Sequence, residues 1–180
     1  MTHTDTRTVT RLFVVTGAPG SGKSTVVPEL VRLNPGNLVV MDMDELLDDD
    51  GRLLGISIAS KMAAPIWPAY NALWLRITEL IRRSGIHVLL LSPLLPTELP
   101  EGRWLHLDCS DEVRRKRLAE RGWPDPEIEE AIADAAEIRK HVPRSVRGDV
   151  APERSARGIL DWIRGERFGK TLSLWGRFRG

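Results

Sequence analysis

The chain is poor in cysteine, in tyrosine and in net charge. One cysteine in 180 residues, Cys109, excludes an internal disulfide and suits a reducing, cytoplasmic setting. The formal net charge of +1 argues against a broad basic footprint for nucleic acid, leaving only a local patch. Long apolar runs are missing too. The longest, such as Ile86 to Leu91, are far too short to cross a bilayer, so no membrane partner is expected. No basic start followed by an apolar stretch marks a secretory signal. There is no internal repeat, no linker long enough to split two domains, no metal-binding cluster and no Ser-His-Asp arrangement. What remains is a chain whose 42% hydrophobic content can build one ordinary domain with a substantial core.

Apolar runs alternate with amphipathic ones. Strands are expected at 11–15, 38–42, 86–92 and 103–108, with a weak fifth at 144–150. Helices are expected from Lys23 to Leu33, over 68–83, from Asp111 to about Arg121, from Asp125 onward and over 152–164. Tyr70, Leu73, Trp74, Ile77, Leu80 and Ile81 recur at helical spacing, with Pro68 at the start and Gly85 at the stop. Ser110 is placed to cap the helix that follows it. This alternation predicts an α/β sandwich around a parallel sheet. Residues 1–10 read as a flexible start. Residues 165–180 read as a basic and aromatic tail without a clear fold.

Between the first strand and the first helix stands Gly17-Ala18-Pro19-Gly20-Ser21-Gly22-Lys23-Ser24-Thr25. It fits G-x-x-x-x-G-K-[ST] at every fixed position and in the required strand–loop–helix context. Small residues let successive backbone N–H groups curl around a phosphate, and the helix start adds the positive end of its dipole. Lys23 can reach the β- and γ-phosphates, and the Ser24 hydroxyl can ligate magnesium. The loop therefore predicts a nucleoside triphosphate, ATP or GTP, with Mg²⁺.

Arg114, Arg117 and Arg121 fall at i, i+3 and i+7, one face of a helix that can point at phosphates. Asp42 and Asp44 follow the second strand, where carboxyl ends of α/β strands bind ligands. A carboxylate there can take the proton of an attacking hydroxyl or hold magnesium. Trp67, Tyr70 and Trp74 lie within eight residues, and an aromatic face can stack on an acceptor. Trp67 and Asn71 are the candidates for acceptor binding there, while Trp74 and Leu73 are expected to pack. His87 and His106 alternate within strands and are expected to be packed.

On these residues the chain resembles the small P-loop kinases: shikimate and gluconate kinases, nucleoside and nucleotide kinases, the kinase domain of polynucleotide kinases, and chloramphenicol phosphotransferase. The resemblance covers about residues 11 to 164 and is strongest over Gly17 to Thr25. It implies a three-layer sandwich with a five-stranded parallel sheet in the order 2-3-1-4-5. It implies that Asp44, about twenty positions past the loop lysine, is the catalytic base. "DCSDEVRRKRLAERG" resembles the arginine-bearing lid of these kinases, here about 114–126, with Arg117 and Arg121 on the transferring group and Arg114 on the nucleotide. The turn after the last strand would lie beside the base. Many P-loop proteins end the third strand with Asp; here Ser92 stands there, as in gluconate-type kinases. That makes Asp42 the candidate for the second magnesium contact, and Ser92 a candidate on the substrate side.

The expectation is a phosphotransferase acting on a hydroxyl of a small molecule. The aromatic acceptor region points to an antibiotic of nucleoside-like or chloramphenicol-like kind rather than a sugar acid. A metabolic nucleoside, nucleotide or sugar-acid kinase, a polynucleotide 5′-hydroxyl kinase and a non-catalytic nucleotide-binding module are the alternatives. Self-association into a homo-oligomer stays open.

Overall fold

The computed structural model describes residues 10–48, 51–53, 55–57 and 63–168. The expectations for residues 1–9 and 169–180 lie outside the described residues. Five parallel strands form the central sheet: β1 (Leu12–Thr16), β2 (Leu38–Asp42), β5 (His87–Ser92), β6 (Arg103–Asp108) and β7 (Ser145–Arg147). Two further strands, β3 (Arg52–Leu53) and β4 (Ile56–Ser57), pair only with each other in an antiparallel ribbon. The sheet runs β2-β5-β1-β6-β7. Counted among the parallel strands alone, that is the expected order 2-3-1-4-5.

Central strands are apolar on both faces because both faces are covered. Phe13, Val15, Leu89 and Leu91 point to a core closed by α1 (Lys23–Leu33) and α5 (Pro152–Phe168). Their neighbours Leu12, Val14, Val88 and Leu90 point the other way, to α2 (Trp67–Arg83), whose Tyr70 and Trp74 are buried against them. Farther along that second face, Ala135 and Ile138 of α4 (Asp125–His141) pack on Ala18. The period-2 alternation of β1 and β5 thus sorts side chains between two helical layers.

Ser110 caps α3 (Asp111–Glu120): its hydroxyl accepts from the Val113 N–H at 3.3 Å. Only Arg121 to Pro124 separate α3 from α4, so the expected lid region is a helix end and a tight turn rather than a long loop. The last helix runs four residues beyond the expected stop at 164. Gly165 sits inside it as an exposed residue, and a glycine in a helix interior costs about 1 kcal/mol without ending the helix. The acidic stretch after β2 is a 3₁₀ turn, Met43–Leu46, followed by the β3–β4 ribbon.

Candidate active site

The loop after β1 is built by its glycines. Gly20 (φ 78°) and Gly22 (φ 102°) adopt left-handed backbone, which lets the chain curl and deliver its N–H groups to one concavity. Gly17 has no room for a side chain: a Cβ there would stand 2.6 Å from Ser21 Oγ and 2.7 Å from the Leu107 carbonyl oxygen. Ser21 Oγ is buried without a hydrogen-bond partner among the described residues. Ser24 and Thr25 are exposed in the first turn of α1, with Ser24 next to Lys23 as the motif requires.

Lys23 lies under the loop with its ammonium donating to the Gly17 carbonyl at 2.5 Å. Burial lowers its pKa, and the nearby Asp44 and Asp42 carboxylates oppose that shift. Arg114 and Arg121 also act on it electrostatically. The fold therefore gathers Lys23, Asp42, Asp44, Arg114 and Arg121 into one neighbourhood from three separate stretches of chain.

Asp42 is buried at the end of β2 and caps the 3₁₀ turn, accepting from the Asp44 N–H at 3.1 Å. Burial pushes its pKa up to about 6, Asp44 adds to the rise, and the Asp44 N–H and Lys23 hold it back. Asp44 itself is exposed on that turn. A carboxylate presented to solvent beside the loop lysine is placed to meet an incoming hydroxyl.

The three arginines of α3 divide by depth. Arg114 is fully buried. It donates to the Pro19 carbonyl at 2.5 Å and to Asp108 at 3.0 Å, so it braces the loop from behind instead of facing a nucleotide. The nucleotide contact expected of Arg114 would have to be made through the loop it braces. Helical spacing shows which residues share a face, not which of them is roofed over. Arg117 is half-buried and donates to the Gly20 and Gly148 carbonyls, each at 3.0 Å. Arg121 is exposed at the helix end.

A cavity of about 330 Å³ opens beside the loop. Val26, Val150 and Pro152 give it apolar walls, and Thr25, Glu120, Arg121 and Ser155 a polar rim. Its size and mixed lining suit a planar heterocycle continuing from phosphates on the loop. The turn after β7 lines this cavity with Gly148 and Val150.

Two residues that sequence reasoning did not single out organise the site. Gly148 touches the loop directly: a Cβ there would stand 2.0 Å from the Ser21 carbonyl oxygen. Its only local signal is a glycine directly after a short, largely polar strand, Ser145–Arg147. Asp108 accepts from Arg114, from the Cys109 N–H at 2.9 Å and from Arg139 at 2.7 Å. Arg139 also reaches Asp111 at 2.8 Å, so the base of α3, α4 and the loop share one buried-edge network. Side-chain hydrogen bonds pull the Asp111 carboxyl down and the Arg139 guanidinium up, which keeps both charged.

Behind that network His106 is buried, 3.6 Å from Asp108, with no hydrogen-bond partner for Nε2 among the described residues. Burial lowers its pKa below the ordinary 6.5, helped by Arg139 and Arg114 and opposed by Asp108. The unfolded chain therefore takes the proton first. The stability contributed by neutral His106 is complete above pH 6.5 and is lost as the pH falls below it. Thermal melts from neutral pH down to about 5 will show a steeper loss of Tm for the wild type than for His106→Leu. Equal slopes would mean that His106 does not titrate in this window.

On the acceptor side, Trp67 opens α2, half-buried, with its ring set edge-on to Tyr70 at a centroid distance of 5.9 Å. Trp74 continues the ladder at 6.3 Å and is core, as expected, whereas Leu73, also expected to pack, lies on the exposed side of α2. Asn71 is half-buried, and its Oδ1 has no hydrogen-bond partner among the described residues. Ser92 is fully buried, with its hydroxyl oxygen accepting from the Leu94 N–H at 3.2 Å, so it shapes the strand end and presents no hydroxyl at the surface. His87 is packed, accepting from the Arg11 N–H.

No group of three or more His, Cys, Asp or Glu side chains could hold a metal among the described residues. The oxygens beside the loop, the exposed Ser24 hydroxyl and the Asp42 and Asp44 carboxylates, are hard donors of the kind that would suit a magnesium ion held chiefly by phosphates and water. No helix of the described residues is long and apolar enough to cross a membrane.

A family model described as an AAA domain matches residues 14–140. A search of curated proteins finds no match. Among solved structures, a shikimate kinase from Aquifex aeolicus vf5 is similar with a TM-score of 0.61 at 23% identity, covering 88% of this chain and 99% of that one. A sugar kinase from Janibacter sp. HTCC2649 has a TM-score of 0.59 at 19% identity, covering 86% and 95%. A gluconokinase from Sinorhizobium meliloti 1021 has a TM-score of 0.56 at 17% identity, covering 91% and 99%. The chain belongs to the AAA-domain family and has the fold of the small P-loop kinases.

Proposed function

We propose that this protein transfers the γ-phosphoryl group of a nucleoside triphosphate, ATP first, to a hydroxyl of a small molecule. The observation that carries the reading is the exposed Asp44 carboxylate on a capped turn beside the loop lysine. A module that only bound nucleotide would have no use for such a group there.

In this reading the triphosphate lies on the loop N–H groups and Lys23, and its base enters the cavity beside Val150 and Pro152. Magnesium, held by the Ser24 hydroxyl with Asp42 as second contact, would neutralise charge on the β- and γ-phosphates. The acceptor oxygen forms the new P–O bond while the bond to the leaving diphosphate breaks. Asp44 takes the hydroxyl proton. Arg121 at the cavity mouth and Arg117 at its wall stabilise the charge on the moving group, at a site where electrostatics does most of the catalytic work.

The acceptor enters from the α2 side, over Trp67 and Asn71. An Asn71 amide one helical turn after the Trp67 indole, with no partner for its Oδ1 among the described residues, favours a molecule with a planar or apolar body and a hydroxyl, such as a nucleoside-like or chloramphenicol-like antibiotic. The polyhydroxy acids named for the similar structures are the competing acceptors within the same class. The test is acceptor-stimulated ADP release from Mg·ATP. A panel of nucleosides, nucleoside antibiotics, chloramphenicol, shikimate, gluconate and a 5′-hydroxyl oligonucleotide will contain one member that raises the rate at least tenfold. Stimulation by the oligonucleotide alone would overturn the small-molecule reading.

A further inference from the structure

One peptide unit in the site is clamped at both of its polar ends. The N–H of Asp44 is held by the Asp42 carboxylate at 3.1 Å. The carbonyl of Met43, the other half of the same peptide, accepts the Tyr70 hydroxyl. A trans peptide is planar, with its N–H and C=O on opposite edges. Fixing both edges leaves the plane no freedom to rotate. The Asp44 Cα, which that plane carries, is fixed with it.

The two anchors come from different elements. Asp42 ends β2, and Tyr70 lies in the first turns of α2. Tyr70 is buried, and its ring is wedged between Trp67 and Trp74 by edge-on contacts. The hydroxyl is therefore aimed by packing. Burial, with Asp44 and Asp42 nearby, raises the phenol pKa above 10, so the group remains a donor throughout the neutral range. It is also the sole tyrosine of the chain, and phenylalanine would fill the same place in the aromatic ladder.

We propose that Tyr70 is the positioning residue for Asp44: its hydroxyl, on the Met43 carbonyl, locks the peptide that presents the carboxylate and ties that carboxylate to the acceptor-side helix. Tyr70 touches neither the nucleotide nor the reacting atoms. It acts by keeping Asp44 in one place, which matters because small displacements of a catalytic group cost large factors in rate. The inference rests on Asp44 being the base in the reading above.

The test uses the full chain and Tyr70→Phe, which keeps the ring and removes one hydroxyl. Two readouts are needed. The first is amide hydrogen exchange followed by NMR. Exchange at the Asp44 N–H should quicken about tenfold in the variant, while amides of β1 and α1 stay as in the wild type. The second is ADP release from Mg·ATP with water as the acceptor, measured for wild type, Tyr70→Phe, Asp44→Asn and the double variant. Tyr70→Phe should lower kcat about tenfold with KM for ATP unchanged, and should lower it no further once Asp44 is Asn. A residue that merely stabilised the fold would add its loss to that of Asp44→Asn.

An additive loss overturns the proposal, as does an unchanged exchange rate at Asp44. Equal rates for wild type and Asp44→Asn remove Asp44 as base, and with it the role given to Tyr70. In that case quicker exchange in Tyr70→Phe shows a clamp that serves the fold alone. The failure of the reading is then separate from a failure of the geometry.

Discussion

Asp44→Asn lowers kcat for phosphoryl transfer by about a thousandfold and leaves the affinity for Mg·ATP within about twofold of the wild type. The size follows from what is removed. General-base catalysis contributes about 10² to 10⁴ in rate, and asparagine is isosteric but takes no proton. Binding is spared because the loop glycines and Lys23 form the phosphate cradle. The Asp44 backbone N–H, which closes the turn on Asp42, is present in the variant as well. The measurements are steady-state kinetics with the identified acceptor and calorimetric titration of the nucleotide. A parallel loss of affinity would place Asp44 in nucleotide binding instead, and unchanged turnover would take it out of the mechanism.

Gly148→Ala has the second large effect, and for a purely steric reason. The new methyl group would stand 2.0 Å from the Ser21 carbonyl oxygen and 3.2 Å from its carbonyl carbon. Those atoms are backbone, so no rotamer change relieves the overlap. Gly148 cannot retreat easily either. Its N–H is bound to the Asp108 carbonyl at 2.6 Å, and its carbonyl accepts from Arg117. Either the turn after β7 or the phosphate loop must shift. Overpacking of this kind costs about 1–3 kcal/mol, and the backbone character of the two nearest atoms puts this site at the upper end. For a chain of this size that is a fall in Tm of about 6–12 °C. The loop displacement should also weaken Mg·ATP at least tenfold, since Ser21 belongs to the cradle. Gly165→Ala is the matched control. That glycine lies in exposed helix with nothing among the described residues within 4 Å of an added Cβ, and alanine there should raise stability by up to about 1 kcal/mol. If the two variants melt alike, the close approach at Gly148 does not constrain the loop.

How much of this was legible beforehand depends on whether the chemistry is contiguous. The phosphate loop could be read because its function demands one uninterrupted run of small residues, a lysine and a hydroxyl. The sheet could be read because buried parallel strands are nearly continuous apolar runs, as in His87–Ser92. The bounds of α1, β2 and β6 coincide with the expected ones for the same reason. Contacts between distant stretches were not legible. Arg114, Arg117 and Arg121 have equal standing as a helical face. Only Asp108 on a neighbouring strand and the Pro19 carbonyl make Arg114 an internal brace. Gly148 reads as one more loop glycine until the Ser21 backbone is laid against it. Tyr70 reads correctly as a buried position of α2, but its hydroxyl bond to the Met43 carbonyl joins two elements that no local pattern connects. Ser92 could be read as the end of a strand, though not as fully enclosed there. The aromatic start of α2 was visible as composition, and its geometry as an edge-on ladder appeared only in three dimensions.

The most direct test of the account is the mass of the product. The full chain is incubated with Mg·ATP and the acceptor panel, beside Lys23→Ala, and the small molecules are analysed by mass spectrometry. The account predicts one acceptor heavier by a single phosphoryl group, formed with stoichiometric ADP and absent with Lys23→Ala. Tight binding of Mg·ATP with no phosphorylated acceptor anywhere in the panel would contradict it, and would leave a nucleotide-binding module that transfers nothing.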